Sequence, residues 1–429
     1  MMRDVVLLDG FRTPFAKAGT ALARVPAREL GRIAVSELLA RSGVSPADVD
    51  DVIIGNVAGP ADSANIARVV ALLAGIPNHV PAVTVHRNCA SGMESIAQAY
   101  ERVASGQADL VVAGGTESMS RIPLHVSDGM TRVFERLMKA RSPVQRVGAL
   151  ASFRPKDLTP KIALMEGLMD PISGLNMGET AELLAREFGI SREAQDDFAL
   201  QSHRRAAAAQ ESGRFAEEIA PVFPAPYREV VSQDVGPRKT QSLEALAKLR
   251  PYFDPRTGTV TPGNACPITD GAAAILVASA EKARALGLAP AGRIRGYAFV
   301  GLDPAHMGLG PAHATPVALR RARVRFSDIG LIELNEAFAA QVIANEIAMG
   351  SAAYAREKLG LDAPVGEIDR SILNVNGGAI ALGHPVGVSG TRLVLTLLRE
   401  MRHRDVSLGL ATLCVGGGQG AAFVLERAA

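Results

Sequence analysis

Two cysteines, Cys89 and Cys414, and one histidine, His384, stand where residue type and spacing could do chemistry. Cys89 lies in Val85-His86-Arg87-Asn88-Cys89-Ala90-Ser91-Gly92-Met93. The apolar run from Val80 to Val85 reads as a strand, and Met93, Ile96, Ala97, Tyr100, Val103 and Ala104 recur at helical spacing. Cys89 therefore falls where a strand gives way to a helix. The free N–H groups of a helix start favour negative charge and are expected to pull the thiol below its ordinary pKa of about 8.5, towards thiolate. The alternative use of a cysteine is as a small buried hydrophobe.

Two more glycine-rich loops sit at strand ends, where open α/β sheets place their ligands. One is Asn374-Val375-Asn376-Gly377-Gly378-Ala379-Ile380-Ala381-Leu382-Gly383-His384-Pro385, and the other is Cys414-Val415-Gly416-Gly417-Gly418-Gln419-Gly420. Such glycines let a backbone approach a ligand and leave N–H groups pointing into the site. The spacing is not that of a dinucleotide fingerprint, no G-K-S/T of a P-loop follows, and a G-x-S-x-G serine elbow is absent. Left standing are a cysteine nucleophile, a histidine to activate it and a second thiol. Each has a plainer use: His384 as a turn histidine, Cys414 as a strand end, and Asn335 as the cap of a helix beginning at Glu336. His86 and His403 read as structural.

The elements that must hold these loops alternate. A strand at residues 5 to 9 precedes a helix from Ala27 to Arg41, a turn into a short helix at Pro46, a strand at Val52 to Val57, the Cys89 unit, and a strand at Leu110 to Ala113. This rhythm predicts a mostly parallel sheet covered on both faces. The same grammar returns near the C-terminus. Val317 to Arg321, Phe326 to Ile329 and Leu331 to Asn335 echo Leu39 to Ile54, and a helix with Val394, Leu397, Leu398 and Met401 precedes a strand at Leu408 to Leu413. Displaced by about 300 residues, the latter pair superposes on Met93 to Tyr100 and Ala108 to Ala113, which reads as an internal duplication. Two such halves should pack with corresponding loops face to face.

Residues 121 to 262 differ: prolines, charged helical segments (Gly178 to Phe188, Ser191 to Gln210) and few strand patterns make them an inserted loop domain. Within it, residues 131 to 165 carry Arg132, Arg136, Lys139, Arg141, Arg146, Arg154, Lys156 and Lys161 against Glu135 and Asp157. A basic amphipathic stretch of this kind suits a membrane surface or a partner, or simply a solvated helix face.

Composition bounds the classes. The 429 residues, 48% hydrophobic and 21% charged, make two or three soluble globular domains, and a net charge of +2 gives no field for nucleic acid. No signal-like segment and no run of 18 apolar residues occurs, so a cytoplasmic protein is the expectation. Cys89, Cys266 and Cys414 are odd in number, far apart and without C-x-x-C spacing, which argues against a disulfide framework or a structural zinc, and no metal is called for.

Asn88-Cys89-Ala90-Ser91-Gly92, Asn335-Glu336-Ala337-Phe338, Asn376 to Pro385 and Cys414-Val415-Gly416-Gly417-Gly418 resemble, in family order, the four active-site signatures of the thiolases. The resemblance covers essentially the whole chain, including Thr261-Pro262-Gly263-Asn264. It implies duplicated βαβαβαββ halves stacked as five αβαβα layers, with residues 1–120 plus 263–290 and 291–429 as the halves and 121–262 as the CoA-binding loop domain. It implies that Cys89 becomes acylated, that His384 takes its proton and then holds the thioester oxygen, and that Cys414 moves the proton at the α-carbon of acetyl-CoA. Asn335 would position a water that forms one oxyanion hole with His384, and the backbone N–H groups of Cys89 and Gly416 would form the other. Such donors are needed because making or breaking a C–C bond beside a thioester passes through an enolate. Arg238 matches an arginine against the adenine end of coenzyme A, Met177 a methionine at the acyl end of the pocket, and Cys266 a position lining the pantetheine tunnel.

The implied reaction is cleavage of 3-ketoacyl-CoA by free CoA, with the biosynthetic acetoacetyl-CoA reaction as the alternative and a non-catalytic acyl-CoA binder as the rival of another class. CoA is a co-substrate, with no permanently bound cofactor. The insertion at 121 to 176 is similar to that of thiolase subunits from fatty-acid-oxidation complexes, yet that subgroup would carry histidine at Asn335, and the histidine that precedes the methionine in many short-chain enzymes is Asn176 here. A homodimer or homotetramer is expected over a complex with a hydratase/dehydrogenase subunit. A ketoacyl synthase, which shares the duplicated fold, would have a second histidine in the asparagine loop and no cysteine at 414.

Overall fold

The computed structural model describes residues 3–428. In chain order, the first half runs β1 (Val5–Arg12), α1 (Ala27–Ser42), β2 (Asp51–Gly55), α2 (Ile66–Leu73), β3 (Ala82–Val85), α3 (Ser91–Ala104) and β4 (Leu110–Ser118). The chain then leaves the sheet through α4 (Asp128–Lys139), α5 (Pro143–Ala151), α6 (Ala163–Gly167), α7 (Met177–Glu187) and α8 (Arg192–Glu211). It returns as β5 (Thr269–Ser279), and the second half follows with β6 (Gly292–Gly301), α9 (Gly310–Ala322), β7 (Leu331–Leu334), α10 (Ala339–Gly350), α11 (Ala379–Leu382), α12 (Ser389–His403), β8 (Leu408–Val415) and β9 (Gln419–Arg427).

The duplication is visible in the strand order. In the first half β3, β2 and β4 are parallel neighbours, β5 pairs antiparallel with β4, and β1 pairs antiparallel with β5. In the second half Leu373 bridges parallel to Ile332 of β7, β7 is parallel to β8, and β9 and β6 follow antiparallel, so the order is the same. A single pairing, Leu7 with Gly292, joins the two sheets.

The layers follow from which faces are apolar. Strands such as Leu110-Val111-Val112-Ala113 are buried throughout, as sheets covered on both faces require, but the expected mostly parallel sheet is not found: each half adds two antiparallel strands to its parallel ones. The outer face of the first sheet packs on α1 and α2 through Leu30, Leu38, Ile66 and Val70, and that of the second on α9 and α10 through Ala318, Leu319, Val342 and Ile343. Between the sheets one shared core holds Met93, Ile96 and Val103 of α3 with Leu393, Leu397 and Met401 of α12. The thiolase-like αβαβα stack expected from the resemblance is thus present, with α3 and α12 as its central layer.

The starts of these two helices touch. A Cβ on Gly92 would lie 2.6 Å from the backbone nitrogen of Thr391, and one on Gly390 would lie 2.6 Å from that of Met93. The relation is reciprocal, residue for residue, as it must be across a pseudo-twofold axis. Only glycine permits so close an approach at these positions.

Arg12 fastens the insertion to β1. Its guanidinium is fully buried, donating from Nε to Glu218 (2.6 Å) and from both Nη atoms to Asp234 (2.7 and 2.8 Å). Asp234 also accepts the Phe15 N–H at 2.7 Å. Both carboxylates come from the inserted segment, so its return path is held by a bidentate pair of the strong kind.

On the outside of the insertion, α4 and α5 expose Phe134, Met138, Val144, Val147 and Leu150 beside the exposed Arg132, Arg136, Lys139, Arg141 and Arg146. Among the described residues no helix is long and apolar enough to cross a membrane.

Candidate active site

Cys89 stands two residues before α3, on a loop folded back by Asn88, whose φ of +43° is one that asparagine adopts more readily than most residues. Ser91 Oγ accepts the Arg87 N–H (2.9 Å) and donates to the Asn88 carbonyl (2.7 Å), which closes the loop onto the helix. The Asn88 side chain then donates to the Gly416 carbonyl at 2.7 Å. This bond brings the third glycine loop over Cys89. Gly418 is needed there: its φ is +76°, and a Cβ would lie 2.3 Å from the Leu302 carbonyl oxygen.

The N–H groups of Cys89 itself and of Gly416 lie where they would favour a thiolate at the Cys89 sulfur. Burial outweighs them, and the thiol is raised above its ordinary range. The expectation that the helix start lowers it is therefore not met. Cys89 is only partly buried, yet desolvation by the cavity walls outweighs the partial charges that the helix contributes. Cys266 is pushed up to about 12 by burial and by the charge Cys89 would carry, and Cys414 is raised well above its ordinary value by burial and by the charges Cys89 and Cys266 would carry, so the three thiols of the cavity are neutral groups.

His384 comes from the loop before α12, the counterpart of the Cys89 loop. Its Nδ1 lies 2.5 Å from Ser389 Oγ, and Ser389 donates its hydroxyl to the Pro385 carbonyl at 3.2 Å. With that hydrogen committed, Ser389 accepts Nδ1–H, and the network assigns the lone pair to Nε2. Nε2 is buried and has no partner among the described residues. Burial, and then the charge of Arg392, lower the imidazole to about 4, so it is a neutral acceptor at physiological pH.

Cys89, His384, Cys414, Gly416, Met177 and Cys266 line one cavity of about 750 Å³. Met177 begins α7 and lies against Gly416: a Cβ there would sit 3.2 Å from its sulfur. Asn335 follows the end of β7, fully buried, and does not itself line the cavity. It does not cap a helix at Glu336, because α10 begins only at Ala339, and neither of its amide atoms has a partner among the described residues. Arg238 is exposed on a loop and is not among the residues lining the cavity. Its backbone N–H donates to His203, 3.3 Å away.

Sequence reading missed Glu117, a lone acid in the buried strand β4 that also lines the cavity. Its Oε1 accepts from Asn56 Nδ2 (3.0 Å) and the Ala58 N–H (3.1 Å), and its Oε2 from the N–H groups of Val57 (3.0 Å) and Gly387 (3.1 Å). Burial pushes the carboxyl up to about 7, but four donors filling its lone pairs suit the ionised form. Because Gly387 follows His384 by three residues, Glu117 ties the histidine loop to the opposite half. A single acid near the end of a fully buried strand was the available clue. Ser389 and the buried pair Arg392–Glu333 (2.6 Å) also escaped notice, since nothing in their local spacing sets them apart.

A family model of the thiolase N-terminal domain matches residues 5–281, and one of the thiolase C-terminal domain matches residues 288–427. The chain belongs to the thiolase family. Among curated relatives of this thiolase, a 3-ketoacyl-CoA thiolase of Yersinia pestis (strain Pestoides F) is 44% identical over 423 residues, covering 98% of this chain and 96% of the relative. Among solved structures, the acetyl-CoA acetyltransferase of Bacillus anthracis superposes with a TM-score of 0.86 at 38% identity, covering 100% of this thiolase and 99% of that chain. The human mitochondrial 3-ketoacyl-CoA thiolase in complex with CoA gives 0.86 at 37% identity, with 100% and 98% covered.

Proposed function

We propose that this thiolase is a coenzyme A-dependent acyltransferase that cleaves 3-ketoacyl-CoA with CoA to acetyl-CoA and a shortened acyl-CoA, as in fatty-acid β-oxidation. The observation that carries the reading is the convergence on one cavity of a sulfur facing two backbone N–H donors, an imidazole with its Nε2 lone pair free, and a second neutral thiol. His384 Nε2 takes the Cys89 proton as the sulfur attacks the 3-keto carbon, and the Cys89 and Gly416 N–H groups hold the oxyanion that forms. Its collapse breaks the C–C bond. The enolate oxygen of acetyl-CoA is held by protonated His384 and a water on Asn335, and the Cys414 thiol protonates the α-carbon. CoA then attacks acyl-Cys89, its thiol proton passing to Cys414 and that of His384 returning to the Cys89 sulfur, so every group ends as it began.

Mass spectrometry after incubation with acetyl-CoA or acetoacetyl-CoA tests this: an acyl adduct on the Cys89 peptide is expected, and its absence would leave a non-catalytic acyl-CoA binder as the better description. Similarity to an acetyl-CoA acetyltransferase favours the condensation direction as the second reading.

Two surfaces extend the proposal. Strand β3 ends the first sheet, and its edge suits pairing with a second copy in a homodimer or homotetramer, which light scattering would detect. The apolar and basic side chains of α4 and α5 suit an anionic membrane surface, and sedimentation with anionic but not zwitterionic vesicles is the matching test.

A further inference from the structure

The two side chains assigned above to the enolate oxygen stand on different elements: His384 precedes α12, and Asn335 follows β7. Between these elements lies a buried ion pair that the reaction as written does not use. Arg392, on the first turn of α12, donates from Nη1 to Glu333 Oε2 at 2.6 Å, and both side chains are buried. Arg392 Nε and Nη2 are buried as well and have no partner among the described residues, so the bond to Glu333 is what fixes the guanidinium. Such a pair adds little stability over two apolar side chains of the same volume. What it adds is direction.

Each end of the pair is close in the chain to one of the two groups. Arg392 follows Ser389 by three residues, so the two share a face of α12, and Ser389 is the residue whose hydroxyl meets His384 Nδ1. On β7, Leu331 faces the core between the sheets, while Ile332 and Leu334 face the outer one. Glu333 and Asn335 therefore lie on the inner side, and the ladder continues through Asn335, whose N–H donates to the Thr412 carbonyl at 3.0 Å. The charge of Arg392 also reaches the imidazole, adding to burial in lowering it. His384 has other anchors: its N–H donates to Thr269 Oγ1 (3.1 Å), and Glu117 holds Gly387 on the same loop. The Asn335 amide, fully buried, has no partner among the described residues. Its place is set by β7, and Glu333 sets β7 against α12.

Resting on the acyltransferase reading above, we infer that Arg392 and Glu333 are positioning residues that fix Asn335 at the distance from His384 which the enolate oxygen requires, and that they serve the C–C bond step and not the acylation of Cys89. The experiment compares two rates of the full chain: thiolysis of acetoacetyl-CoA, which passes through the enolate, and exchange of labelled CoA into acetyl-CoA, which needs only acyl-Cys89. Arg392→Met combined with Glu333→Leu replaces the pair by apolar side chains of similar volume, a change that buried ion pairs often tolerate. It is expected to lower thiolysis about 10- to 100-fold and exchange by less than about threefold. Glu333→Gln keeps the shape and weakens the bond by removing its charge, and the same selective loss is expected there at about three- to tenfold. Either variant, set against its own exchange rate, carries the test. Equal losses in the two reactions, or undiminished thiolysis, would overturn the positioning role and leave the acyltransferase reading intact. No exchange in the parent protein would overturn both.

Discussion

At neutral pH the resting pair is a thiol beside a neutral imidazole, and the rate of inactivation by iodoacetamide tests that assignment. Burial holds the Cys89 thiol above its ordinary value, so less than about 3% is thiolate at pH 7. His384 gains a proton only near pH 4, which leaves no imidazolium between pH 5 and 8 to hold the sulfur as an anion. Only the thiolate is alkylated, so the rate should rise about tenfold per pH unit from 5.5 to 8. A thiolate–imidazolium pair would give a flat profile over the same interval. The label should appear first on the Cys89 peptide, because Cys266 is pushed up to about 12 and Cys414 is raised well above its ordinary value. In His384→Asn the alkylation profile should keep its slope, while acyl transfer falls by about 10²- to 10⁴-fold through loss of the base. A plateau below pH 7 in the parent protein would refute the reasoning, and so would its disappearance in the variant.

Cys414→Ser should slow C–C cleavage, read by acetoacetyl-CoA thiolysis, far more than acyl exchange at Cys89, and equal losses would count against two separate thiols. Arg12→Met strands Glu218 and Asp234 as buried charges and should cost about 3–5 kcal/mol in urea unfolding, whereas a loss below about 1 kcal/mol would mean that the insertion is held otherwise. Gly390→Ala forces a methyl to within 2.6 Å of the Met93 nitrogen; about 1–3 kcal/mol of stability should go, and activity should fall about 100-fold if the two loops part by about 1 Å. Unchanged kcat in that variant would show that the helix contact does not set the site's geometry.

The site was legible in the sequence where it depends on local pattern. The junction of strand and helix at Cys89, the glycine loops of His384 and Cys414, and the repeated grammar of the halves are all properties of short windows, and each element lies within a few residues of its expected place. What escaped depends on partners far apart. Arg12 meets Asp234 and Glu218 across more than 200 positions, and Glu117 meets Gly387 across 270. The fate of none of these three carboxylates follows from its neighbours in the chain. The direction of the Cys89 shift was misread for the same reason: the helix start is local, whereas burial is produced by the second half and the insertion closing over the sulfur. Within the insertion the helix that begins after Ser191 was placed correctly by its cap, since Ser191 accepts the Ala194 N–H within its own turn.

The contact of Gly92 with Gly390 has a consequence for how the protein comes into being. Because α3 and α12 share one core, a first half leaving the ribosome alone would display Met93, Ile96, Ala97 and Val103 to water, an apolar face of the sort that makes partly folded chains stick together. Cys89 is synthesised long before His384, and β5, the strand that completes its sheet, arrives only after the insertion. Until α12 docks, Cys89 lacks both His384 and the Gly416 N–H. Chemical competence and protection from aggregation are therefore acquired in the same late step of folding, and neither half can be expected to survive, or to react, when expressed without the other.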